Sequence, residues 1–211
     1  MPLTFDPCMS PTRSTAIAAA LLACVLGGRA QLQSQARTLV AHHFEGTTDG
    51  WLVSGDTGAA DPHLHASGGD PGGYISHQDE ALGETWYFRA PESVLRALSA
   101  ANHGTLVYSL KQSADLVGNF EDDVVVVGPA GRLSYRFRES PGTDWASFSV
   151  TFGAAAGWRW NWNMPATQEQ IGRVLANPTS LEIRGEYHTG PDEGSLDSVV
   201  VKSASAAHAG W

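Results

Sequence analysis

Tryptophan spacing carries the most specific chemistry in this sequence. In Trp158-Arg159-Trp160-Asn161-Trp162 the indoles recur at every second residue. On an extended chain that period puts them on one face. An indole surface matches the apolar face of a pyranose, so such a strip could stack on glycans. The same side chains also suit packing. Trp160 and Trp162 are therefore either a glycan platform or cover for a sheet edge, and Trp51 and Trp145 read as core.

Other reactive groups are less patterned. His63-Leu64-His65 puts two imidazoles on one side of an extended chain, with His42-His43 nearby in sequence. A zinc site needs three or four converging ligands, and no cysteine or His-x-x-Glu pattern completes one. Glu121-Asp122-Asp123 precedes a Val run and reads as a solvated strand entry. A glycosidase reading would need a second carboxyl across a cleft. The sequence holds no Gly-x-Ser-x-Gly elbow, no P-loop and no dinucleotide fingerprint. No catalytic residue is assigned.

The elements that must position these groups are mostly strands. Arg132 to Arg138 alternates polar and apolar residues, the mark of a half-buried strand. Thr105–Lys111 and Ser147–Phe152 repeat that period. Leu181, Ile183 and Tyr187 alternate with Glu182, Arg184 and Glu186. Val124–Val127 reads as a strand buried on both sides, joined to the next by a hairpin at Gly128-Pro129-Ala130-Gly131. Further strands are expected at Leu39–Phe44, Tyr74–Ser76, Thr85–Arg89 and Ser198–Lys202. Two short helices interrupt them. One starts at Pro91-Glu92 and sets Leu95 and Leu98 three apart. The other opens with the capping box Thr167-Gln168-Glu169-Gln170, buries Ile171, Val174 and Leu175, and stops at Asn177-Pro178. About nine strands with two helices predict an all-β, two-sheet jelly-roll sandwich.

Composition agrees with one such domain. The chain has 211 residues, with 23 Gly and 11 Pro supplying turns. A formal charge of −9 and no Lys/Arg block argue against nucleic acid and anionic membranes as partners. The apolar run from Ala16 to Leu26 is too short to span a bilayer and has the length of a signal-peptide core. Gly28-Arg29-Ala30 offers small residues for cleavage before Gln31. Both cysteines, Cys8 and Cys24, lie in that leader. Leu21-Leu22-Ala23-Cys24 also resembles a bacterial lipobox, so a lipid anchor at Cys24 is the alternative to free secretion. The expected division is a signal peptide at 1–30, a lead-in at 31–43, a domain at 44–202 and a tail at 203–211.

An ordered series of blocks resembles the laminin domain IV family, also called laminin B. Gly69-Asp70-Pro71-Gly72-Gly73-Tyr74-Ile75-Ser76 is similar to its glycine-rich block, and Thr85-Trp86-Tyr87-Phe88-Arg89-Ala90-Pro91 to its next strand. Leu95–Ser99, Gly104-Thr105-Leu106, Asp123–Val127, Trp145–Val150 and Val174-Leu175-Ala176-Asn177 continue the series. Ile183-Arg184-Gly185-Glu186-Tyr187 and Leu196-Asp197-Ser198-Val199 close it. The resemblance implies an extracellular, non-catalytic sandwich of the galactose-binding-like type, and gives Trp158 a core position. The chain departs from laminin in having one module and no cysteine-rich repeats. Likeness to carbohydrate-binding jelly rolls further implies a structural calcium. Phe44-Glu45-Gly46 and Leu196-Asp197-Ser198-Val199 match its first- and last-strand ligands, with Asp70 a weaker third. Hard carboxylate oxygens suit that ion. The alternative is that Glu45 and Asp197 cap turns or pair with Arg184.

These readings give a secreted binding or adhesion module whose partner is an extracellular protein or a glycan. The alternative is an accessory carbohydrate-binding module that uses Trp160 and Trp162.

Overall fold

The computed structural model describes residues 35–55, 60–79, 85–115, 121–188 and 191–205. The expected leader at 1–30, with Cys8 and Cys24, and the tail from residue 206 lie outside the described residues.

Two antiparallel sheets face each other. The first runs in the order β3 (His63–Gly69), β4 (Gly72–Gln78), β13 (Glu193–Lys202), β6 (Thr105–Gln112) and β9 (Ala146–Thr151), and β1 (Thr38–His42) also pairs with β13. The second runs β11 (Met164–Pro165), β10 (Arg159–Trp160), β8 (Gly131–Tyr135), β7 (Val124–Gly128), β12 (Ser180–Arg184), β5 (Tyr87–Arg89) and β2 (Leu52–Ser54). The jelly-roll sandwich expected from the strand period is the observed fold. Helices α1 (Glu92–Leu98) and α2 (Gln168–Ala176) are the two predicted ones.

The inner faces form one apolar core. Trp51, Trp86, Trp158, Tyr108, Phe44, Phe88 and Phe152 are its largest fully buried side chains. Side chains alternate along each strand, so Leu106, Tyr108 and Leu110 of β6 point inward with Leu196, Val199 and Val201 of β13. Val124, Val125 and Val126 are all buried, as a strand covered on both faces requires. The capping box forms in full: Gln170 N donates to Thr167 Oγ1 at 3.2 Å and Thr167 N to Gln170 Oε1 at 2.9 Å. Ile171, Val174 and Leu175 are buried beneath it. In α1 the buried pair is Val94 and Leu98, and Leu95 is only half-buried.

Several boundaries differ from the sequence expectation. The stretch at 31–43 is not merely a lead-in, because β1 pairs with β13 from His42↔Val199 to Thr38↔Lys202. The last strand begins at Glu193, not Ser198. Strands β2, β3, β10 and β11 carry no apolar alternation of their own and follow from pairing with neighbours. Trp145 is not core. It is half-buried just before β9.

Candidate functional site

Three surfaces hold the groups that could act. The first is the corner where β1, the β3–β4 hairpin and the middle of β13 meet. Glu45, Asp70 and Asp197, the residues of the calcium expectation, lie at this corner. Asp197 is fully buried. One of its carboxylate oxygens accepts from Asp70 N and the other from Ser198 N. Asp70 Oδ2 accepts from Ser109 Oγ at 2.8 Å, and Glu45 Oε1 from Gly73 N at 3.4 Å. Desolvation pushes the Asp197 carboxyl above its ordinary range, against the pull of those two N–H groups. The donor types fit a hard cation. Their arrangement does not converge on one: among the described residues, no three His, Cys, Asp or Glu side chains come together to hold a metal ion. Arg184 sits elsewhere and pairs with Asp123 at 3.5 Å.

The second surface is the tryptophan strip, which the backbone breaks. Asn161 and Trp162 have φ of 44° and 83°, so they form the β10–β11 turn and not an extended run. Trp158 is buried, and its Nε1 donates to Thr151 O at 2.9 Å. Trp160 packs against the core, and its Nε1 is buried with no acceptor among the described residues. Trp162 is 70% exposed and lies over the Arg132 guanidinium at 4.6 Å. Trp160 and Trp162 therefore do not share a flat platform. Beside them Asp122 holds Arg132 at 3.1 Å and Arg159 at 3.2 Å. Asp123 is buried and accepts from Phe137 N at 2.6 Å, so of this acidic triplet only Glu121 is a solvated strand entry.

The third surface, which the sequence reading missed, is the outer face of the six-stranded sheet. Strand register fixes it. Ser195 pairs with Ser76 on one side and Lys111 on the other, and Ser76 pairs with His63. His65 pairs with Tyr74, and Glu193 with Gln78. Because residues alternate across a sheet, these all stand on the face opposite Leu110, Leu196 and Ile75. Small buried serines form the floor and larger side chains rise around it. Lys111 Nζ sits 4.7 Å from the Tyr74 ring centre and 4.8 Å from that of Trp145. His65 stacks on Tyr74 at 4.3 Å, and its Nε2 is 2.8 Å from Ser76 Oγ. Trp145 meets Tyr74 edge-on at 5.4 Å and donates from Nε1 to Gly68 O at 2.9 Å.

Two depressions lie on this face. One, of about 290 Å³, has Tyr74, Lys111, Ser113, Thr143, Glu193 and Ser195 on its walls. The other, of about 200 Å³, is bounded by His63, His65, Ser76, Gln78 and again Glu193. Burial and the Glu193 charge push the Tyr74 phenol upward, so it stays a hydroxyl donor at neutral pH. A larger cleft of about 660 Å³ lies near Ala36 and Ser205, but small side chains such as Ala154 and Ala155 line it and no charged groups converge there. Among the described residues neither histidine pair gathers further ligands. His42 accepts from Trp51 Nε1 at 2.8 Å inside the core.

Comparison with known proteins adds family and fold. The profile of the family described as Laminin B (Domain IV) matches residues 87–211, so the glycine-rich block at 69–76 lies outside that match. None of the curated proteins matches. Among solved structures the chain is similar to the L4b domain of human laminin alpha-2, at 12% identity over 78% of this chain and 97% of that one, with a TM-score of 0.61. It is also similar to a family 11 carbohydrate-binding module from Clostridium thermocellum in complex with a β-1,3-1,4-mixed-linked tetrasaccharide, at 12% identity over 80% and 96%, with a TM-score of 0.48. The C-terminal family 22 carbohydrate-binding module of Clostridium thermocellum Xyn10B gives 11%, 79%, 93% and 0.45. At these identities the likenesses concern fold alone.

Proposed function

The chain belongs to the laminin B (domain IV) family, and from that premise we propose that it is a non-catalytic binding module. It works outside the cell and engages an extracellular protein or a glycan. The family match carries this reading.

A structural calcium ion at the corner of Glu45, Asp70 and Asp197 belongs to the same proposal, and since these carboxylates do not converge among the described residues it would need backbone oxygens as further ligands. Secretion through residues 1–30, or anchoring at Cys24, supplies the location. No helix of the described residues is long and apolar enough to cross a membrane. A second reading places glycan contact at Trp160 and Trp162, and of the two only Trp162, by its exposure, favours it.

The test is an array of matrix proteins and glycans probed in calcium and again in chelator, with a parallel panel of ester and glycoside substrates. The expected outcome is saturable binding without turnover, and a melting temperature lowered by chelator. Turnover lost in Glu193→Gln would overturn the non-catalytic reading. An unchanged melting temperature in chelator, with no metal in the purified protein, would remove calcium from it.

A further inference from the structure

We propose that the outer face of the six-stranded sheet binds a neutral oligosaccharide chain, with Glu193 shared between two consecutive sugar-sized subsites. This rests on the binding-module reading and names the ligand class of its cleft.

The two depressions adjoin at Glu193 and lie across the strands from β6 to β3. A single compact ligand would fill one of them. A chain laid across the strands fills both. The wall chemistry is a saturated mixture of donors and acceptors. Lys111 supplies three N–H donors, Glu193 an acceptor carboxylate, and Ser113, Thr143, Ser195 and Gln78 groups that do both. Sugar hydroxyls also donate and accept, so they satisfy both kinds of partner at once.

Charge decides between neutral and acidic sugars. Lys111 has no carboxylate within 4.0 Å among the described residues; its ammonium rests on the Tyr74 and Trp145 rings, contacts that use no acceptor and leave N–H donors for a ligand. Glu193 stands in both subsites, and an acidic sugar would meet it in either. The net charge of −9 adds to that repulsion. A neutral chain meets no such cost.

The aromatic side of the cleft is held in advance. Tyr74 is clamped between His65 and the Lys111 ammonium. Trp145 backs it, and Trp145 is fixed in turn by its bond to Gly68 O. The loop before Trp145 is tied down by Gln112 N to Gly142 O at 2.8 Å and by Thr143 N to Asp115 Oδ1 at 3.1 Å. None of these contacts serves the inner core. Side chains ordered before binding lower the entropy lost on binding.

The test is calorimetric titration of the full chain with soluble neutral glycans (β-glucan, xylan, galactomannan) and acidic ones (polygalacturonate, hyaluronan), for wild type, Tyr74→Ala, Lys111→Gln, Glu193→Gln and Trp162→Ala. Neutral glycan binding is expected, weakened at least about tenfold by Tyr74→Ala and by Glu193→Gln and left intact in Trp162→Ala. Glu193→Gln keeps the side-chain shape, so its melting temperature separates lost contact from lost fold. Binding only of acidic glycans overturns the ligand class. Loss in Trp162→Ala, with Tyr74→Ala unaffected, overturns the site. Binding of matrix proteins with no glycan bound overturns this inference and leaves the binding-module reading standing, whereas no binding of either kind sinks both.

Discussion

Gly185 shows how far a single residue can be constrained by a neighbour distant in sequence. A Cβ placed there would overlap the six-membered ring of Trp86, which is fully buried and cannot move aside. A Cβ on Gly194 of β13 would overlap Gly185 O and meet the same ring at 3.0 Å, so the two glycines pack against each other beside the indole. Gly185→Ala is therefore expected to lose about 1–3 kcal/mol by overpacking. Gly153→Ala, where a Cβ would meet nothing closer than 3.6 Å, should stay within about 0.5 kcal/mol. Equilibrium urea unfolding of both variants checks this, and equal losses would show that Trp86 is not the cause. Residue identity alone reveals little of this scale. Trp145 reads as core because large apolar side chains usually are, yet it stands one place before β9, where no periodic pattern reports its face. Tyr74, Lys111 and Glu193 have no shared spacing in sequence. Only the register of β4, β6 and β13 brings them to one cleft. Glu45, Asp70 and Asp197 were singled out by likeness to carbohydrate-binding jelly rolls and not by their own spacing, and it is the pairing of β13 with the β3–β4 hairpin that sets them at one corner.

Elements were legible in proportion to how strongly one face is buried. Strands β6, β8, β9 and β12 alternate because their inner residues enter the core and their outer ones do not, and α2 announces itself by its cap. The edge strand β3 has no such contrast: none of His63 to Gly69 is buried. Strand β10 and its partner β11 are two residues each, shorter than any period can register. Strand β1 lies wholly ahead of the expected domain start at residue 44. Its pairing argues for a different outcome. Leu39 and Val40 pack on the core, and His42 caps the buried Trp51 indole. A chain beginning at residue 44 exposes one edge of β13 and orphans the Trp51 N–H. It should be less stable than one beginning at residue 35 by at least about 3 kcal/mol, or lower in melting temperature by at least about 6 °C. Scanning calorimetry on the two chains decides it. Matching transitions would mean that β1 is an accessory strand.

The two sheets are joined differently at their two ends, and that difference sets how the whole molecule responds to pH. Around Trp158 and Phe152 the junction is apolar. At the other end it is polar: Arg184 of β12 meets Asp123 and lies over the Tyr187 ring at 4.1 Å, and Gln112 of β6 reaches across to Gly185 O at 3.0 Å. Asp192, at the entry to β13, accepts from Tyr187 N, with Asp79 beside it. Burial foremost, with the Asp79 charge adding to it, pushes the Asp192 carboxyl from 3.8 up to about 6. The folded state thus holds this proton more tightly than the unfolded chain does. The resulting stability is present in full below the unfolded value and is lost as pH rises through about 6. Asp123 shifts in the same direction, again chiefly by burial. His42, lowered by its own burial, acts in the opposite sense, since its contribution is lost as pH falls below 6.5. A bare stability profile mixes these opposing slopes, whereas one substitution isolates the first. Asp192→Asn keeps an acceptor for Tyr187 N and never ionises. It should match wild type near pH 4, gain on it steadily through pH 5 and 6, and level off ahead by on the order of 1–2 kcal/mol at pH 7. Urea denaturation of both proteins at those four pH values measures the difference directly. A variant less stable than wild type at pH 7 would mean that the ionised carboxylate, not its burial, governs this end of the sandwich.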